Sequence, residues 1–142
     1  MAKGKEHLKG ERGQSLTELA LSMTILLILL AGVVDLGRAF FTFMILRDAV
    51  KEGAVYASIN PSDTSEIKDH VVHASSMVEN LITPNDVSVQ IIGDPCAGYL
   101  VRVDATISNF QITMPFLGTI IGTQAFPINA YVIETILMPG CF

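Results

Sequence analysis

The chain has 142 residues and a mass of 15.3 kDa, a length that fits one domain. Half of it is apolar, only 16% is charged and its net charge is −5. Soluble domains carry about a quarter charged residues, so part of this chain is suited to a bilayer. The acidic balance argues against a nucleic-acid partner. Two cysteines are too few for a disulfide-dense scaffold or a four-thiolate zinc site.

The first 13 residues, MAKGKEHLKGERG, hold four basic side chains (Lys3, Lys5, Lys9, Arg12) against Glu6 and Glu11, a charge of +2. The rest has five basic and twelve acidic residues, a charge of −7. The sign changes where an apolar run begins, which reads as membrane topology. From Leu19 to Val34 no residue is charged. Sixteen helical residues span about 24 Å against a hydrocarbon core of about 30 Å, and Leu16, Thr17 and Leu36 close most of the difference. Basic residues before the run place the N-terminus inside and the C-terminal part outside, in a single crossing. A cleaved secretory signal is the competing reading. It fits less well, because the run exceeds the usual h-region of about 7–15 residues and no small-x-small site lies at a plausible distance before Asp35.

The helix is expected to outlast the bilayer. Phe43, Leu46, Val50, Ala54 and Ala57 recur at steps of three and four, and Asp35 pairs with Arg38 across one turn. No proline occurs before Pro61, so one helix from about 15 to 58 is expected, its outer half offering a stripe on which a head docks. Asn60-Pro61-Ser62-Asp63 breaks it. The next segment, with Ile67, Val71, Ser75, Val78 and Leu81/Ile82 on one face, predicts an amphipathic helix over 62–82, stopped by Thr83-Pro84-Asn85. The period then changes to two. Runs at 87–91, 100–107 and 130–136 predict three strands, with GDPCAG (93–98) turning the first into the second as an antiparallel hairpin. The stretch MPFLGTIIGTQAFP between the second and third runs is apolar but broken by glycine and proline, which favours a covered loop or a short helical turn. The expected fold is α+β: a long N-terminal transmembrane helix leading to one helix on a three-stranded, mainly antiparallel sheet.

Catalytic patterns are absent: no G-x-S-x-G, H-E-x-x-H or P-loop occurs, so no enzyme, cofactor or catalytic residue is expected. Asp69-His70 and His73 form D-H-x-x-H, a zinc-compatible spacing without a further ligand, and a solvated polar face explains it better. Cys96 and Cys141 fall outside the membrane on this topology, where a disulfide would close a loop of about 45 residues and stabilise the head by about 3–4 kcal/mol. The alternative is two free thiols, because Cys141 is next to last.

The most informative segment is Arg12-Gly13-Gln14-Ser15-Leu16-Thr17-Glu18-Leu19. A carboxylate entering an apolar helix costs up to about 2.5–3.5 kcal/mol at the bilayer centre and less near its edge, so Glu18 needs a reason. One is a capping box with Ser15 as N-cap and Glu18 at N3. Another is register: cleavage after Gly13 makes Gln14 residue one and Glu18 residue five. In a helical bundle the new Gln14 amine then finds the Glu18 carboxylate of a neighbour. The two readings are compatible.

This spacing resembles the class III signal of type IV pilins and pseudopilins. More closely, RGQSLTELALSMTILLILLAGVVDLGRAFF is similar to the start of the TadE-like family of the tight-adherence (Tad/Flp) pilus system, over about residues 11–57. The distal half is similar more loosely, through VRVDATIS, MPFLG and AYVIET. The resemblance implies a minor pilin or pseudopilin, cut by a prepilin peptidase between Gly13 and Gln14 and N-methylated on Gln14, with Glu18 serving assembly. It also implies other Tad pilins and pseudopilins, an inner-membrane assembly platform and the lipid bilayer as partners. The implied organisation is a leader (1–13), a transmembrane and extended helix (14–58) and an extracytoplasmic head (59–142). Gln14 replaces the usual phenylalanine, and the helix lacks the deeper proline of type IVa pilins. Major Flp pilins have no head of this size, which favours an accessory role. The alternative function is an uncleaved signal-anchored protein whose head binds a ligand or surface polymer.

Overall fold

A computed structural model describes residues 8–114 and 117–137. Helix α1 runs without interruption from Leu8 to Ile59, 52 residues and about 78 Å. Its two halves differ. From Gly13 to Leu27 every residue is exposed, leucines included. In the other half Leu46, Ala49, Val50, Ala54 and Ala57 are buried and Phe43 is partly so, the stripe read from the sequence.

The start of α1 corrects one expectation. The helix begins seven residues before Ser15, so Ser15 lies inside it and is no N-cap. Leu8, Lys9, Glu11 and Arg12 are good helix formers and extend the backbone hydrogen-bond ladder past Ser15, so the capping box with Glu18 is not formed.

At the far end, Asn60 N–H closes on the Tyr56 carbonyl at 2.9 Å, buried Pro61 turns the chain, and Asp63 caps α2 (Thr64–Val72) through its carboxylate. The single helix expected over 62–82 is two. Ser75 is extended (φ −155°), and its hydroxyl accepts from Val78 N–H, capping a one-turn α3 (Ser76–Glu79). Serine offers the backbone a partner outside the helix, so a residue placed on the apolar stripe serves as punctuation instead. As a result Ile82 is buried and Leu81 is exposed. A 3-10 turn at Pro84–Asp86, boxed by Thr83 and Asp86, delivers the chain to the sheet.

Three antiparallel strands follow in the order β1 (Val87–Ile92), β2 (Leu100–Gln111), β3 (Ala125–Thr135). The hairpin through 93–99 is the one expected, with Gly93 (φ +103°) and Gly98 (φ +92°) in the left-handed region that glycine adopts at little cost. β3 starts five residues earlier than the sequence indicated. Pro127 argued against a strand there, but β3 is an edge strand, and the β2–β3 register slips between Ile107 and Phe110, which absorbs the proline. The short helical turn expected between β2 and β3 is α4 (Leu117–Ile121).

Val101, Val103, Ala105 and Ile107 of the central strand, with Ile128 and Ala130 of β3, face α1 and α2 across the core. Each fully buried side chain such as Leu46, Ile67 or Val101 contributes about 1.5–3 kcal/mol, an upper estimate. The core is therefore shared between the head and the second half of α1, and neither is complete alone. On the outer face Arg102 chelates Asp104 at 2.6–2.9 Å and lies over the Tyr131 ring at 4.4 Å. Hydrogen bonding to Asp104 raises the guanidinium above its ordinary value.

Candidate assembly site

Gly13, Gln14 and Glu18 lie together on the first, head-free half of α1. All three are exposed. Gln14 and Glu18 are four residues apart, on one face and about 6 Å apart along the axis. Among the described residues Glu18 makes no ion pair, and it is the one charged residue between Arg12 and Asp35. Neighbouring hydroxyls turn inward: Thr17 donates to the Gln14 carbonyl (2.7 Å), Ser22 to that of Glu18 (2.8 Å) and Thr24 to that of Ala20 (2.8 Å). Three hydroxyls of this segment are thus satisfied within the helix, as a dry environment requires. Among the described residues the side chains of Gln14, Ser15 and Glu18 make no such bond, and of these only Glu18 carries a charge. At Gly13 a Cβ would meet nothing within 4 Å among the described residues, so no close approach requires glycine there.

The half-way point of α1 carries a second constellation. Asp35 is buried, 6% exposed, and bonds Arg38 at 3.0 Å, the pair read from the sequence. It also accepts the Met114 N–H at 2.6 Å, while Arg38 donates to the Thr113 hydroxyl at 2.5 Å and lies 5.4 Å from the Phe110 ring centre. These links tie the end of β2 to α1 across 75 and 79 residues. Sequence reading missed them, because nothing in the local pattern of Thr113 and Met114 announces a distant carboxylate.

The remaining candidates are dispersed. Cys96 is buried in the β1–β2 turn and disulfide-bonded, and Cys141 lies outside the described residues. His70 stacks on Tyr56 with ring centres 4.1 Å apart, and a ring nitrogen of His73 lies 3.0 Å from the Asp69 carbonyl. The two imidazoles thus have different neighbours, and among the described residues no group of three ligand-type side chains forms.

Residues 13–55 match the family of TadE-like proteins. The matched stretch begins at Gly13 and lies wholly within α1, so the resemblance covers the helix and not the sheet. No curated protein and no solved structure matches the chain. Among the described residues α1 is the one helix long and apolar enough, by length and composition, to cross a membrane, which suits a single-pass membrane protein.

Proposed function

We propose that this protein is a TadE-like pseudopilin or minor pilin, a non-enzymatic subunit in the biogenesis of a tight-adherence (Flp-type) pilus or a related secretion apparatus. It sits in the cytoplasmic membrane with its head extracytoplasmic. The observation that supports the proposal is that the TadE-like match begins at Gly13, five residues before the one charge of an otherwise apolar helical run. Among the described residues a Cβ at Gly13 would meet nothing within 4 Å, and Glu18 makes no ion pair although it lies on an apolar helix. Both features are accounted for by other molecules: a prepilin peptidase that reads Gly13 and cuts before Gln14, and a neighbouring pilin helix whose new N-terminal amine pairs with Glu18.

In the uncut chain the Gly13–Gln14 bond is helical. Cleavage requires local unwinding, and Gly10 and Gly13 each lower its cost by about 1 kcal/mol relative to alanine. After cleavage, an ammonium and a carboxylate about 4 Å apart attract by about 4 kcal/mol at an effective dielectric of 20, before desolvation is subtracted. An apolar helix pair slides easily, whereas one ionic contact selects a single axial position.

Co-expression with a prepilin peptidase tests this. Intact-mass measurement on the membrane-extracted protein should show loss of residues 1–13, and Gly13→Val should block the cut while leaving the head folded. An unchanged mass under conditions that process a control pilin would refute the proposal and leave the signal-anchored alternative. Glu18→Gln separates the two again: it impairs assembly of a pseudopilin and leaves an anchored binding protein working.

A further inference from the structure

We infer that the tip of the β2–β3 hairpin, through residues 112–114 and the exposed Ile120 of α4, is a second membrane contact that dips into the bilayer beside α1, so that the head lies in the lipid surface instead of standing above it. This rests on α1 crossing a bilayer and is independent of cleavage at Gly13.

The direction of the sheet comes first. At one end of the head, Leu137 N–H donates to the Ser58 carbonyl and Ile136 N–H to that of Tyr99, which fixes the start of β2 near the far end of α1. From there β2 descends, and Met114 N–H reaches Asp35. The hairpin closes beyond that point through Ile112 N–H to the Gln124 carbonyl at 2.9 Å, so the tip extends past the last pair of the ladder.

The level of the tip comes next. Met114 Sδ lies 3.7 Å from where a Cβ on Gly32 would stand, and Gly32 is inside the uncharged run Leu19–Val34. Ile28, Ala31 and Gly32 are half-buried while Leu29, Leu30, Val33 and Val34 are exposed, so one face of the spanning helix is covered to the height of Ile28. A bilayer wide enough to hold Leu16–Leu36, about 31 Å, necessarily contains this height.

Composition then identifies the occupant. From Ala105 to Ile133 no residue is charged, although the rest of the head is strongly acidic. The charges Asp104 and Glu134 sit toward the other end of the β2–β3 ladder, Asp104 opposite Tyr131 and Glu134 opposite Val101. Ile120 in α4 is 82% exposed, the most exposed of the large apolar side chains described. Such a side chain is poorly placed in water and well placed in lipid. At the crossing level the polar groups are matched to each other: Asp35 takes the Met114 amide, and Arg38 bonds both Asp35 and Thr113.

Depth-dependent quenching on the full chain, reconstituted in vesicles of phosphatidylcholine and phosphatidylglycerol, tests the contact. Single cysteines at Ile120, Leu26 and Ser62 are labelled with an environment-sensitive NBD dye under non-reducing conditions, with the unsubstituted chain as blank. Ile120→Cys alters a side chain with few neighbours. The expected result is that doxyl groups on lipid acyl chains reduce emission at 120 nearly as much as at 26, while 62 responds to aqueous iodide. Iodide quenching at 120 with lipid quenching at 26 overturns the inference and leaves the span intact. Protection of 120 from both quenchers also overturns it, because a second protein then covers the tip. Iodide quenching at 26 overturns the span and the inference together.

Discussion

Gly53 lies in the middle of α1 against α2, and replacing it by alanine sets two effects of opposite sign against each other. Helix propensity alone favours alanine by about 1 kcal/mol. Packing opposes it: the new Cβ would overlap Val71 Cγ2 and come within 3.2 Å of the Ile67 carbonyl oxygen, a backbone atom that cannot rotate away. Val71 is fully buried, so relief requires α2 to shift off α1, and overpacking of this kind costs about 1–3 kcal/mol. The net expectation is a loss of about 1 kcal/mol, which lowers the head's Tm by about 4–8 °C for a domain of this size. Gly37→Ala is the control, since a Cβ there meets nothing within 4 Å, and it should not lower Tm. Near-ultraviolet circular dichroism of the full chain in detergent reads the transition, because Tyr56 stacks on His70 at this same α1–α2 interface and the chain has no tryptophan. Combining Gly53→Ala with Val71→Ala removes the overlapping methyl, so the double variant should be no less stable than Val71→Ala alone. If Gly53→Ala raises Tm as its propensity predicts, or if the two costs simply add, the helices are not in contact there and the reasoning fails.

Asp35→Ala removes a charged acceptor from the Met114 amide and from Arg38, at about 1.5–3 kcal/mol. It should loosen the β2–β3 tip before the rest of the head, seen as earlier proteolysis within 112–124 and an unchanged β1–β2 hairpin. Ser75→Ala removes the cap of α3 and should cost about 1 kcal/mol, measured by the same thermal transition. For the predicted Cys96–Cys141 bridge, Cys96→Ser or reductant should destabilise the head by about 3–4 kcal/mol. Alkylation of both thiols in oxidised extracytoplasmic protein would count against the bridge.

The parts of the fold legible in the sequence are those set by short-range period. Leu46, Val50, Ala54 and Ala57 announce a buried helical stripe, and Val101, Val103, Ala105 and Ile107 a buried strand face, because spacing alone assigns each residue a side. Ser75 was misread for the same reason: its spacing fits the stripe, while its hydroxyl competes for the backbone, a property that period does not register. Pro127 was misread because its tolerance depends on which strand is at the edge, a fact of topology. The candidate site divides likewise. Gly13, Gln14 and Glu18 are visible as a spacing, whereas the Thr113 and Met114 links to Arg38 and Asp35 join residues too far apart for any local pattern to pair them.

The division of α1 gives these observations a common physical sense. One face of its second half is buried in the head's core, so that face cannot join another helix without unfolding the head. Its first half, Gly13–Leu27, is exposed all round over about 22 Å and is free to associate. On that free surface leucine, isoleucine and methionine supply contact area with little axial preference, since one apolar side chain replaces another at small cost when two helices slide. Glu18 has no such substitute. On the proposed function, as the one charge between Arg12 and Asp35 it would set the height at which a partner's cation must arrive, in the way a single buried polar residue fixes register in a coiled coil. If the hairpin tip holds the head at a fixed depth in the lipid, the helix beneath it cannot slide far either. Glu18 and the tip then fix the same axial coordinate from the two ends of the spanning segment, one by charge and one by apolar burial.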